Sequence, residues 1–178
     1  MLELPLTAPA APRAVSDMSQ IMRTISAASA RPRYTYMVLD LISRVAGPGG
    51  AAGPHVREGE RLVPIREWLA GAIAPSASRH HLRKATIAEV RRELAGRGLL
   101  PPDRAEAERV VQAEVADRIL ASGMTAVSRA VSELVRAGLI RRHYQGYRVD
   151  HANRGAQRLA VYTVPADIMA ALERRPAA

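Results

Sequence analysis

Cysteine is absent from the 178 residues, which excludes disulfide frameworks and thiolate zinc sites. Phenylalanine is absent too, and aromatics make up 3% of the chain against a hydrophobic share of 48%. The core is therefore aliphatic, and such a palette suits packed helices better than a broad sheet, which leans on aromatic and β-branched pairs. No window approaches the ~20 apolar residues of a membrane span. Pro5, Pro9 and Pro12 break up the apolar letters ahead of Val15, so no charged segment followed by an apolar one forms a leader pattern there. A cytoplasmic protein with no membrane partner is expected. Lysine is nearly missing: Lys84 is the only one.

What the chain does have is arginine. The formal charge is +9 and the isoelectric point is near 11.0. A basic excess of this size attracts polyanions, nucleic acid first among them, and the guanidinium fork matches phosphate and guanine geometry. Genomic base composition accounts for most of the preference for Arg over Lys, but it does not create a net charge.

Hydrophobic periodicity divides the chain. Residues 1–16 are rich in Pro and Ala and read as a disordered tail. Residues 17–100 read as a helical region, a dimerisation domain or a first DNA-binding unit. Within it, Met18, Ile21, Met22 and Ile25 recur at helical spacing, as do Met37, Val38, Leu41, Ile42 and Val45. The Gly-rich stretch 47–60 reads as a loop or linker. Leu62, Ile65, Leu69 and Ile73 outline the next helix, and Ile87, Val90 and Leu94 another that ends near Gly98. Asp103 with Glu106 resembles a capping box opening a long helix, which is expected to stop at the turn Ser122-Gly123-Met124. A second helix follows from Thr125 to Ala137, with Gly138 as its cap. An extended segment starts at Leu139-Ile140, and residues 159–164 alternate as a returning strand. Residues 101–165 are thus the expected DNA-binding domain, and 166–178 a short helix and tail.

Residues 85–100 align without gaps on 125–140, with Glu93/Glu133, Leu94/Leu134, Gly98/Gly138 and Leu99/Leu139 identical. If this is a true repeat, the chain holds two DNA-binding units in tandem. The second DNA face would then comprise Arg79, Arg83, Lys84 and Arg92.

The informative stretch begins at residue 122. With Val127, Val131 and Leu134 turned inward, the opposite face of the helix shows Thr125, Ser128, Arg129 and Ser132. Thr125 can cap that helix, Arg129 can take a guanine bidentately, and Ser128 suits phosphate or base. Residues 141–158 carry Arg141, Arg142, Arg148, Arg154 and Arg158 against Asp150 alone, a net of +4, whereas 103–118 have five acids and three arginines. Positive charge is concentrated on the expected recognition helix and hairpin, as DNA binding requires. Residues 125–142 resemble the recognition helix and first wing strand of bacterial winged-helix regulators. Residues 153–163 resemble the wing of the multiple-antibiotic-resistance (MarR-type) group. That resemblance implies a mainly α fold with a small β-hairpin, a winged helix-turn-helix. Ser128 and Arg129 would enter the major groove, and Arg154 the minor groove. Ala152 stands where that wing usually carries an acid, so the resemblance extends to the superfamily and not the subfamily. A tandem pair would resemble plasmid replication initiators instead.

Other chemistry finds no platform in the sequence. His80-His81 has no further ligand at metal spacing, so no metal is expected. Gly47–Gly53 lacks the Lys-Ser/Thr of a phosphate loop, no Ser sits in a nucleophile elbow, and no acid cluster suggests nuclease metals. Neither catalysis nor a cofactor is expected. The sequence points to a bacterial transcriptional regulator that binds double-stranded DNA sequence-specifically. It is expected to act as a homodimer, since one recognition helix reads too few base pairs. The alternatives are a replication, partition or excision accessory factor of a mobile element, and a winged helix recruited for protein contacts.

Overall fold

The computed structural model describes residues 17–73, 80–145 and 159–174, with 80–83 as backbone only. It is mainly helical with a small antiparallel sheet. In order the elements are α1 (Met18–Ala28), α2 (Pro32–Arg44), β1 (Ala51–Ala52), β2 (His55–Glu58), β3 (Arg61–Pro64), α3 (Ile65–Ile73), α4 (His80–Gly96), α5 (Arg104–Arg136), β4 (Arg141–Gln145), β5 (Leu159–Thr163) and α6 (Ala166–Glu173). Local chemistry sets several of these boundaries. The Asp17 carboxylate accepts from the Gln20 N–H at 2.8 Å to open α1, and Pro32 takes the first turn of α2, where its missing donor costs nothing. Asp103 accepts from the Glu106 N–H at 2.8 Å, the first half of the expected capping box.

One aliphatic core gathers Ile21 and Ile25 of α1, Val38 and Ile42 of α2, Leu69 of α3, Leu134 of α5, Tyr162 of β5 and Ile168 of α6. The apolar faces of α1, α2 and α6 are thereby used within the protein. Strand order in the three-stranded sheet is β1-β5-β4, all antiparallel. Because Ala51 pairs with Thr163 and Ala52 with Tyr162, residue 100 is not a domain boundary. Residues 21–73 and 127–171 share one core.

Three local expectations are corrected. The stretch 47–60 is not a linker: it holds β1, β2 and the turn into β3, with Val56 opposite Val63 on the inner face of a two-stranded hairpin. Leu62 belongs to that hairpin and is 61% exposed, so α3 starts only at Ile65. The third concerns residues 122–124, where no turn exists. α5 runs unbroken for 33 residues, about 50 Å at 1.5 Å per residue. Gly123 is a notch rather than a bend: a Cβ there would sit 3.1 Å from the Ala70 Cβ. The missing side chain lets α3 cross closely, and that packing offsets the ~1 kcal/mol a glycine costs inside a helix.

The similarity between 85–100 and 125–140 is a shared helix ending. Both glycines take the left-handed conformation, Gly98 at φ 67° and Gly138 at φ 72°. The Leu99 N–H donates to Leu94 O at 2.9 Å and the Leu139 N–H to Leu134 O at 3.0 Å, the Schellman pattern. Beyond the cap the two copies diverge. Leu139 is buried and leads into β4, whereas Leu99 is 50% exposed and leads into α5.

α4 and the N-terminal half of α5 form a helical arm with a small core of its own, Val90, Leu94, Val111 and Val115. Ion pairs lace it: Arg91 with Glu108, and Arg118 with both Glu93 and Glu114. The hydrogen bond from Arg118 holds the Glu93 carboxyl below its ordinary value. Bonds from Gln112 and Arg91 do the same for Glu108. A depressed carboxyl contributes stability that is full above the unfolded value, 4.5, and is lost as pH falls through the folded one. On acidification below that value the α4 amide resonances should drift toward random-coil shifts while those of α2 hold. Equal behaviour of both helices would show that the arm does not depend on these carboxylates.

A second polar device locks α5 to α2. Thr35, 1% exposed, donates to the Glu133 carboxylate at 3.0 Å and lies 2.8 Å from the Ser29 Oγ, which accepts from the Arg31 N–H at 3.0 Å. With the Thr35 proton committed to Glu133, Ser29 must be the donor of the middle bond. Thr35→Val should cost about 1–2 kcal/mol in a urea melt, the net worth of a buried hydroxyl bonded to a charge, and Thr35→Ser should recover most of it.

Candidate nucleic-acid interface

The C-terminal half of α5 is amphipathic about a fixed axis. Val127, Ala130, Val131 and Leu134 are buried. At about 100° per residue, Thr125, Ser128, Arg129 and Ser132 occupy a ~100° arc on the opposite side. Arg136 falls in the same arc and is exposed, as Thr125 and Arg129 are. The sequence reading omitted Arg136, although it stands seven residues after Arg129 and four after Ser132. Glu133, the only acid between residues 119 and 145, lies on the other flank and is occupied by Thr35.

The three hydroxyls are not caps. Since α5 is continuous through this stretch, each donates to the carbonyl four residues back: Thr125 to Ala121 at 3.1 Å, Ser128 to Met124 at 2.8 Å and Ser132 to Ser128 at 2.9 Å. Their protons are used within the helix, leaving lone pairs as the outward chemistry. Thr125 is therefore neither a helix start nor a phosphate site formed by one.

The hairpin strand sorts its residues by alternation. Arg142 and Tyr144 share one sheet face, and the guanidinium lies 5.6 Å from the ring centroid. Arg141 points to the other face, so the adjacent pair acts on two sides of the strand. Arg142 pairs in register with Tyr162, whose phenol is pushed up by burial and partly lowered again by Arg142 and Arg66. Arg66, in the first turn of α3, is the second residue the sequence reading did not single out. It reaches the same spot only through the packing of α3 on α5.

Two arginines of the arm, Arg91 and Arg118, pair with carboxylates, whereas Arg92, Arg104 and Arg109 of the same arm have none within salt-bridge distance among the described residues. Among the described residues, Arg66, Arg129, Arg136, Arg141 and Arg142 have no carboxylate within salt-bridge distance and are exposed. Lys84 and Arg92 are exposed on α4 about 80° apart around its axis. Arg83 is described by backbone alone. Arg79, Arg148, Arg154 and Arg158 lie outside the described residues. The described residues contain no group of three or more His, Asp or Glu placed to hold a metal, and no helix long and apolar enough to cross a membrane.

No family model, curated protein or solved structure matches the chain.

Proposed function

We propose that this protein binds double-stranded DNA sequence-specifically through a winged helix-turn-helix, as a transcriptional regulator. The observation that carries this reading is connectivity. α2, β1, α3, the C-terminal half of α5, β4 and β5 follow one another as helix, strand, helix, helix, strand, strand, and the sheet order is first, third, second. That is the order of a winged helix. The β2–β3 hairpin is inserted before its second helix, and the arm before its third. α5 then supplies the recognition helix, Arg129 and Arg136 face the groove, and the β4–β5 hairpin is the wing. The exposed arginines on that side, Arg66, Arg129, Arg136, Arg141 and Arg142, have no carboxylate partner among the described residues and are available to a phosphate backbone. A homodimer would set two such helices one helical turn apart.

Selection of the purified protein on a random duplex pool near physiological salt tests this. An enriched motif is expected, palindromic if the protein acts as a dimer. Salt-sensitive binding with no enriched motif would overturn sequence-specific recognition.

A further inference from the structure

Between the first turn of α3, the serine flank of α5 and the β4–β5 sheet lies an open cleft of about 510 Å³. This is within the size range of small-ligand sites, about 300–1,000 Å³. Its chemistry is unusual for a surface groove. Arg66 and Arg142 stand on its α3 and β4 walls, 76 positions apart in sequence, and Glu67 is the one acid among them. The two cations exceed the one anion, which suits a single phosphate and disfavours a polyphosphate. Ser128 and Ser132 line the α5 wall. Because their protons go to helix carbonyls, their free lone pairs accept and do not donate. Pro54, Leu159 and Ala160 add apolar surface, and Tyr144 offers a ring beside Arg142. A phosphate, an apolar ring and an amino donor are the three groups that such walls recognise together.

We propose that this cleft is a nucleotide site, in which Arg66 and Arg142 hold one phosphate and the Ser128 and Ser132 oxygens accept from the exocyclic amino group of adenine or cytosine. The nucleotide is either free in solution or part of a strand. The two sources share this chemistry, and the strand-borne case rests on the DNA reading above.

Calorimetric titration with AMP, CMP and UMP, beside duplex binding over a salt series, separates the sources. For a free nucleotide, AMP and CMP should bind at least 10-fold more tightly than UMP, which lacks the amino group. Arg66→Ala and Arg142→Ala should each weaken AMP at least 10-fold. Both residues are exposed, so the variants keep the fold. For a strand-borne phosphate, AMP should not bind, while Arg66→Ala weakens the duplex at least 10-fold and lowers the salt slope by about one. AMP binding in a protein that ignores duplex DNA would remove the DNA reading and keep the cleft. UMP binding as tightly as AMP, or Arg66→Ala leaving both ligands unchanged, would overturn the site.

Discussion

Gly50→Ala should destabilise the protein by about 3–5 kcal/mol, at the diagnostic end of single substitutions. Gly50 sits at φ 72°, and a Cβ built there would lie 2.4 Å from the carbonyl oxygen of Val164. Two costs add. The left-handed conformation is disfavoured by roughly 1–2 kcal/mol for an L side chain. The clash is with backbone, and that backbone is held: the Val164 N–H donates to Gly50 O at 2.8 Å, and the Gly50 N–H donates to Gly47 O at 2.8 Å. Relief would require β1 to leave β5, breaking the pairing of Ala51 with Thr163 and Ala52 with Tyr162. Gly49→Ala is the matched control. Its Cβ would meet nothing within 4 Å, so its unfolding free energy in a urea melt should move by less than ~0.5 kcal/mol. Equal midpoints for the two variants would refute the close approach at residue 50.

Very little of this junction was legible in the sequence. β1 is two residues long, too short for any alternation to register, and Gly-Pro-Gly-Gly around it carries the ordinary signature of a loop. The β2–β3 hairpin escaped for a related reason. Only Val56 and Val63 face inward, and the exposed Leu62 lent its side chain to a false helical stripe with Ile65 and Leu69. By contrast α1, α2, α6 and the two Gly-Leu caps were legible, because amphipathic period and capping chemistry are local.

Gly123 marks where local rules fail in the other direction. Ser-Gly reads as a turn when neighbours are unknown. It becomes a packing notch once Ala70 is placed 3.1 Å from the missing Cβ. The orientation of the exposed arc did not depend on that turn, since Val127, Val131 and Leu134 orient Thr125, Ser128, Arg129 and Ser132 whether or not one precedes them. The cleft has no such local basis. Arg66 comes to line one cleft with Arg142 and Tyr162 only after α3 packs on α5 and β5 registers Tyr162 opposite Arg142. No spacing in the chain announces that arrangement. Adjacent in sequence, Arg141 and Arg142 are divided by strand alternation.

Arg129→Ala combined with Arg136→Ala should lower duplex affinity roughly 10²–10⁴-fold, since each good contact is worth about 1–3 kcal/mol. The two side chains stand seven residues apart, about 10 Å along the helix, so their losses should nearly add. Charge alone predicts something different. Arg92 and Arg109 are also exposed, and they lie on the arm, where the ion pairs and acids cluster. Arg92→Ala with Arg109→Ala removes the same two charges. If a face is read, that variant should bind within about threefold of the parent at physiological salt, because exposed charges more than a Debye length (~8 Å) away are screened. Equal losses in the two doubles would mean attraction by net charge with no reading helix. A loss confined to the arm double would restore α4 as the DNA face. Only a loss confined to Arg129 and Arg136 ties duplex binding to the exposed arc of α5.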